Sequence, residues 1–441
     1  MADSPPAGRL RAAPATGEPR GVTFSEIGNL VAGYPARLWL VCFGAYALAQ
    51  MDLAIWSYAL PLIRTDFGLT RTQLGILTGI SFAAGGVLLV WLGTLVDRLG
   101  RRQMMIGGIV ASSLLVSAHA LAANIFVLGG LRAASMASGG LLYPTTGALV
   151  TEEAPARIRG LMAGVLQTAY PLGWFVASLF AVLLLEAYGW RPLFLVSLIG
   201  LPYVWVVVRQ VRESSRFASS SVDGGTSARG SIAELFAPGI RRRTITLFAA
   251  QYCFVVAYGG AFIFAPLYFH EARGFDIGHT ATLVGMSNLI GIFGYFLAAW
   301  VGEFYLTRRT TTVIWTLLGS ACFIVFLWLT NSYLQSMVVF SIMAVFLLGA
   351  AAVKFAYVAE LFPTRIRATG IAFCGSFAVL LGQATGPVVI GWLADTRGWN
   401  VAMFAGGAVP LALAGLLYLF LEPVPSGLDV DEVQRRLEQS T

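Results

Sequence analysis

Long apolar runs make up most of the chain, and short polar connections that are often rich in arginine separate them. A helix needs about 20 residues to cross the hydrocarbon core of a bilayer, and twelve runs reach or approach that length. Because lipid offers the backbone no hydrogen-bond partner, such segments must be helical. We therefore predict an all-α integral membrane protein with twelve transmembrane helices, near residues 38–63, 74–96, 103–122, 125–150, 160–185, 191–208, 244–269, 281–301, 311–330, 335–358, 369–393 and 401–421.

Composition agrees with this pattern and argues against several classes of enzyme. Of the 441 residues, 57% are hydrophobic and 12% are charged, whereas a soluble domain has about 25% charged residues. A nucleotide-binding P-loop needs a lysine followed by serine or threonine, but the single lysine, Lys354, is followed by Phe355. The sequence also has no paired-cysteine or H-E-x-x-H metal motif and no G-x-S-x-G elbow. We expect neither an enzyme nor a resident cofactor or metal.

The net charge of +7 comes from arginines that cluster in every second connection. This alternation is the positive-inside pattern of membrane proteins, and it explains the charge better than binding to nucleic acid does. It predicts that both termini are cytoplasmic and that the protein lies in the plasma membrane as a multi-pass protein.

A short box, E-x-x-P-x-R-I-R, begins at Glu152 and again at Glu360, each time at the end of an apolar run. Six predicted segments fit between the copies, so both lie on the same side of the bilayer, as expected of two halves related by a parallel repeat. The predicted organisation is therefore a disordered cytoplasmic tail, a six-helix half, a flexible cytoplasmic linker, a second six-helix half and a second cytoplasmic tail, at residues 1–37, 38–208, 209–243, 244–421 and 422–441.

The connection after the second segment, residues 93–102, reads G-x-L-x-D-R-x-G-R-R. It resembles the signature loop of the major facilitator superfamily at every fixed position, and a degraded copy follows the eighth segment. Motifs around the sixth segment, at residues 189–194 and 212–217, resemble the sugar and organic-acid porter branches. The resemblance covers about residues 38–421. It implies alternating access through a central cavity lined by segments 1, 4, 7 and 10.

The resemblance also implies a cytoplasmic gate that closes by pairing of acids and arginines. Plain topology charges are the alternative interpretation of the arginines. The predicted gate residues are Gly93, Asp97, Arg98, Gly100, Arg101, Arg102, Glu152, Arg159, Glu360 and Arg367.

Charges inside the apolar segments are stronger indications of function, because a charge at mid-membrane costs roughly 2.5–3.5 kcal/mol. Asp52 in segment 1 lies about 21 Å from the cytoplasmic end, and Arg132 in segment 4 about 10 Å from the outer end, at 1.5 Å per residue. The two fall at similar depth, so we predict an Asp52–Arg132 pair. A proton arriving on Asp52 would release Arg132 to bind an anion. A static structural pair is the alternative.

Lys354 lies in segment 10, about 9 Å from its cytoplasmic end. Either its long stem lets the ammonium reach the membrane surface, or the ammonium faces an anionic substrate. Other polar and aromatic residues on the cavity segments are candidates for holding the solute, with plain packing as the alternative role. These candidates are Trp56, Tyr143, Gln251, Tyr252, Tyr258, Phe355 and Tyr357.

Segment 1 resembles the D-G-x-D pattern of aromatic-acid/proton symporters, although only its second acid, Asp52, is present. The sequence therefore predicts a monomeric, proton-coupled symporter of a small organic anion such as an aromatic carboxylate, driven by the proton gradient. A sugar or polyol porter is the main alternative, because sugar porters share the box at Glu360. A drug or metabolite antiporter and a non-transporting solute sensor are the others.

Overall fold

The computed structural model describes residues 33–155, 158–213, 232–363 and 366–423. Within these ranges it leaves out the side chains of residues 93–98, 159–160, 303, 355–356, 359 and 368. Most of both predicted tails and the middle of the predicted linker lie outside the described residues. Five predicted site residues are also left undescribed in this way. They are Gly93, Asp97, Arg98, Arg159 and Phe355.

Twelve helices in the described part of the chain are long and apolar enough to cross a membrane. The predicted number is thus confirmed, and the predicted bounds differ from the observed ones by a few residues. The helices are α1 Tyr34–Asp66, α2 Arg71–Leu92, α3 Arg101–Leu121, α4 Ile125–Glu153, α5 Leu161–Tyr188, α6 Trp190–Gln210, α7 Arg241–Phe262, α8 Ile277–Gly302, α9 Arg308–Leu329, α10 Tyr333–Lys354, α11 Ile371–Thr396 and α12 Trp399–Tyr418.

Several of these helices change geometry along their length. Helix α6 passes through a 3₁₀ turn at Val196–Ile199, and α7 ends in a π-helical turn at Ala257–Phe262 before a further helix, Ala265–Arg273. Helix α11 begins with a π-helical stretch at Ile371–Phe377, and α12 contains another at Phe404–Ala408. The π-helical turns are of a rare type that occurs often at functional sites.

Helices α1–α6 form one half of the molecule and α7–α12 the other, and small residues let the halves approach closely. A Cβ atom on Gly75 of α2 would overlap the carbonyl oxygen of Pro387 on α11, and one on Gly79 would overlap that of Ala384. In the same way, a Cβ atom on Gly285 of α8 would overlap the side chain of Ser178 on α5. The halves therefore meet along two seams, α2 with α11 and α5 with α8.

Among the described buried apolar residues, one of three clusters joins the two halves. One cluster contains residues of both halves, among them Trp56 and Trp174 from the first half and Phe262 and Phe269 from the second. Two further clusters lie nearer the end that carries Arg101 and Glu360, and each belongs to a single half. We call that end the arginine-rich face and the other end the opposite face.

Candidate functional site

Asp52 is buried on α1, with 7% of its surface exposed. The hydroxyl of Ser112 on α3 donates to its Oδ2 atom at 2.6 Å, and the hydroxyl of Ser197 on α6 donates to Oδ1 at 2.6 Å. Ser197 lies in the 3₁₀ turn of α6. Both carboxylate oxygens are thus held by neutral donors of the first half, and hydrogen bonds to a charged acceptor are among the stronger ones.

Arg132 on α4 is 2% exposed, and its guanidinium lies over the Trp56 ring, 4.8 Å from the ring centroid. Its Nε and Nη2 atoms have no hydrogen-bond partner among the described residues. The Trp56 indole is itself fixed, because it donates to Thr78 on α2 at 3.3 Å. Arg132 is therefore positioned by stacking and keeps two buried donors unpaired.

The predicted Asp52–Arg132 ion pair is wrong for this structure. Among the described side chains, no nitrogen of Arg132 lies within ion-pairing distance of the Asp52 carboxylate. The physical reason is that the two serines occupy the carboxylate oxygens while Trp56 covers the guanidinium. The two charges still interact electrostatically over a longer distance.

Lys354 does not reach for the membrane surface. It is 8% exposed, and its Nζ atom donates to Oε1 of Gln251 on α7 at 3.0 Å. The same nitrogen lies 3.5 Å from the centroid of the Phe254 ring, close enough for a cation–π interaction. The structure thus places Lys354 and Gln251 together inside the second half, with their contact bridging α10 and α7.

Two of the four candidate tyrosines, Tyr143 and Tyr258, lie between the halves, whereas Tyr252 and Tyr357 donate to or contact Thr385 and Glu422 within the second half. Tyr143 is 37% exposed, and its ring lies 5.5 Å from that of Tyr46 on α1. The Tyr258 ring lies 5.9 Å from the ring of Tyr170 on α5, across the boundary between halves. Neither Tyr46 nor Tyr170 was predicted from the sequence, where tyrosines in apolar segments look like packing residues.

The predicted gate residues whose side chains are described make contacts within each half. Arg101 and Glu152 form an ion pair of 3.2 Å in the first half, and Arg308 pairs with Glu360 in the second. Gly100, between α2 and α3, has a φ of +92° that favours glycine.

Other contacts of the described gate residues also lie within one half. Glu213 accepts hydrogen bonds from the backbone N–H groups of Arg101 at 2.9 Å and Arg102 at 3.2 Å. It caps the positive end of α3 in this way. Arg367 donates to the Phe362 carbonyl at 3.3 Å.

The opposite face carries a network of charges that joins the halves and that the sequence did not predict. Glu271, in the helix after α7, pairs with Arg64 of α1 at 2.5 Å and with Arg71 of α2 at 2.7 Å. Its carboxylate also accepts a hydrogen bond from the Trp399 indole at 3.0 Å. We call these four residues the Glu271 network.

Two further contacts reinforce the closure of this face. Asp395 of α11 accepts hydrogen bonds from the N–H and hydroxyl groups of Thr72 on α2, at 2.8 and 2.7 Å. Glu186 of α5 accepts one from the N–H of Gly278 on α8 at 2.9 Å. Every ion pair that joins the halves among the described side chains lies on this face. The described side chains therefore close the opposite face.

Comparison with known proteins agrees with this architecture. The chain is 27% identical over 432 residues to the "Niacin transporter NiaP" of Acinetobacter baylyi, covering 90% of this chain and 96% of that protein. It is 29% identical over 416 residues to the "Cis,cis-muconate transport protein" of the same organism, covering 91% and 96%. A solved D-xylose-proton symporter shares the fold, with a TM-score of 0.69, 19% identity and coverage of 89% and 98%.

The family is settled by a match that extends over nearly the whole described chain. The sequence profile of the Major Facilitator Superfamily matches residues 42–351 and 296–438. This confirms the family resemblance drawn from the signature loop at residues 93–102. The chain belongs to the Major Facilitator Superfamily, and it is a multi-pass membrane transporter rather than an enzyme.

Proposed function

We propose that this transporter takes up a small organic anion, such as an aromatic or other carboxylate, together with a proton. The observation that carries the proposal is the balance of charges buried at depth. Among the described residues, Arg132 and Lys354 are buried cations away from the ends of predicted cavity helices, and Asp52 is a buried acid on another of these helices. The two curated relatives described above are named for niacin and cis,cis-muconate, both of which carry carboxylates.

Lys354 is the first candidate to bind the anion. Its described partners, Gln251 and Phe254, are neutral, so they stabilise the ammonium without cancelling its charge. A buried cation with only neutral partners costs free energy, and a carboxylate that reaches it would form a charge-assisted hydrogen bond. A neutral sugar would gain less at this position.

Asp52 is the candidate proton site, and its proposed coupling to Arg132 is electrostatic rather than by direct contact. Ser112 and Ser197 favour the charged carboxylate because both donate to it. Protonation of Asp52 removes the negative charge that interacts with Arg132, and it leaves this cation available to an anion. Proton binding and anion binding would then support each other.

We propose that the arginine-rich face is cytoplasmic, as the positive-inside rule indicates, with both termini on that side. The structure then represents an inward-facing state, in which the Glu271 network closes the outer side. The Arg101–Glu152 and Arg308–Glu360 pairs are the proposed parts of a latch that links the halves when the inner side closes. The connection 209–243 is the proposed linker, and a monomer is the proposed functional unit.

A thermal-shift experiment on the purified protein tests the proposed substrate class. Benzoate and lactate should raise the unfolding temperature, because a ligand at 100 times its Kd stabilises the folded state by about 2.7 kcal/mol. Glucose should not. Lys354→Ala should weaken the response to the acids, whereas the control Arg209→Ala removes a charge that lies over Trp205 on the arginine-rich face and should leave it intact.

The outcomes separate the proposal from its alternatives. A shift with glucose and none with either acid would identify a sugar porter and contradict the proposal. A shift with an acid but no uptake into vesicles would favour a solute sensor. Equal thermal shifts of Lys354→Ala and the unmodified protein with the acids would show that Lys354 does not bind the anion.

A further inference from the structure

Five tyrosines from five helices and both halves meet between the halves, and we call them the tyrosine cluster: Tyr46, Tyr143, Tyr170, Tyr258 and Tyr295. Tyr46 lies against Tyr143, and Tyr170 lies against Tyr258. Tyr295 of α8 lies near Tyr46, Tyr143 and Tyr170. Tyr46 and Tyr143 lie about 15–18 Å from the arginine-rich ends of their helices, at 1.5 Å per residue. The cluster is therefore at mid-depth.

The cluster contains a buried donor that the protein does not satisfy. The hydroxyl group of Tyr258 is buried and has no hydrogen-bond partner among the described residues. Beside it, the Tyr170 hydroxyl and the indole N–H of Trp174 interact with each other, and the two rings stack at 6.3 Å. An unsatisfied buried donor is unfavourable, so the Tyr258 hydroxyl favours a ligand that brings an acceptor.

The surroundings of these donors are flat and apolar. The Tyr258 ring stacks on Phe262 at 5.3 Å with an angle of 17° between the planes. Phe262 in turn meets the edge of Trp174 at 5.8 Å. Aromatic rings pack well in offset-stacked and edge-to-face arrangements, so this region suits a planar ring better than a flexible chain.

The cluster is also aligned with the buried cation. Gln251, Phe254 and Tyr258 are spaced three and four residues apart and so share one face of α7. Gln251 and Phe254 hold Lys354, and Tyr258 lies about 10 Å further along the helix at 1.5 Å per residue. That separation is of the same order as the length of one substituted aromatic acid with a hydrogen bond at each end.

We propose that the tyrosine cluster is a subsite for the ring and the distal polar substituent of an aromatic acid. The inference rests on the proposed function, in which Lys354 takes the carboxylate. The Tyr258 hydroxyl, with Tyr170 and Trp174 beside it, donates to a ring hydroxyl oxygen or ring nitrogen remote from the carboxylate. An acid without such an acceptor leaves the Tyr258 hydroxyl unpaired, and sites built to hydrogen-bond a substituent discriminate against ligands that lack it.

The test compares the affinities of 4-hydroxybenzoate and benzoate for the full-length purified protein, measured by isothermal titration calorimetry. The unmodified protein should bind 4-hydroxybenzoate more tightly. Tyr258→Phe keeps the ring and removes the donor, so its affinity for 4-hydroxybenzoate should fall about 3- to 10-fold, the range for one net hydrogen bond. Its affinity for benzoate should stay within about twofold. Tyr170→Phe should act in the same direction.

Tyr418→Phe is the matched control. Its hydroxyl is also buried without a partner, but its ring packs on Tyr357 inside the second half, away from the other half. It should change neither affinity.

If Tyr258→Phe and Tyr170→Phe both keep the ratio of the two affinities found in the unmodified protein, the subsite is refuted while the carboxylate proposal stands. If the unmodified protein binds neither acid, the proposed function fails, and the subsite fails with it.

Discussion

Replacing Glu271 by glutamine should open the opposite face. Glu271 is the residue at which α1, α2 and α12 are held to the helix after α7, through Arg64, Arg71 and Trp399. Glutamine has nearly the same shape but carries no charge, so both ion pairs are lost together. In the alternating-access account, these pairs exist only while this face is closed, and their loss favours the other state.

The size of the effect follows from how well the network is shielded from water. The Glu271 side chain is 11% exposed, and those of Arg64 and Arg71 are 26% and 29% exposed. Fully exposed pairs contribute up to about 1 kcal/mol, and breaking a buried pair costs about 3–5 kcal/mol. A partly exposed network lies between these limits. We expect a change of about 1–3 kcal/mol, which shifts the ratio of the two states about 5- to 150-fold.

Spin labels on the opposite face measure this shift. Leu121 at the end of α3 and Leu329 at the end of α9 are 84% and 70% exposed, and neither belongs to the network. The labels need a background without the partly exposed cysteines Cys253 and Cys322. Double electron–electron resonance should give a distance distribution with a larger long-distance population in Glu271→Gln than in the unmodified protein.

Asp66→Asn is the control for this measurement. Asp66 pairs with Arg191 at 2.8 Å on the same face, but both residues belong to the first half. Its loss should leave the distance distribution unchanged. If Glu271→Gln and Asp66→Asn both give the same distance distribution as the unmodified protein, the Glu271 network does not hold the opposite face closed.

Two further predictions concern the proton site and the seam between the halves. Ser197→Ala removes a donor that stabilises the charged form of Asp52, so half-maximal uptake should move to higher pH; an unchanged pH profile of uptake would contradict this. Gly79→Val places a side chain against the Ala384 carbonyl, so it should prevent close packing of α2 on α11 and lower the uptake rate without lowering the amount of protein in the membrane. Normal uptake by this variant would show that the seam does not need a glycine.

The architecture and the buried charges were accessible from the sequence because each depends on local composition. A run of about 20 apolar residues defines a membrane helix wherever it occurs, and Asp52, Arg132 and Lys354 stand out within such runs because buried charges are rare. Their partners were not accessible in the same way. Ser112 and Ser197 are ordinary small residues on α3 and α6, and only the folded bundle brings them to Asp52.

The Glu271 network could not be predicted from the sequence for a different reason. Arg64 and Arg71 lie in connections that are poor in arginine, so the positive-inside pattern treats them as exceptions rather than as partners. Their role depends on an acid about 200 residues away in the other half, at Glu271. No periodicity or motif relates residues across that distance, and only the three-dimensional structure identifies the closed face.

Uptake driven by a pH gradient tests whether this protein couples carboxylate transport to protons through Asp52. Purified protein in liposomes should accumulate labelled benzoate when the side that corresponds to the cell exterior is acidic. A protonophore should abolish the accumulation, and Asp52→Asn should not show it. Accumulation that is the same with and without the gradient, or that keeps the pH dependence of the unmodified protein in Asp52→Asn, would contradict proton-coupled carboxylate transport through Asp52.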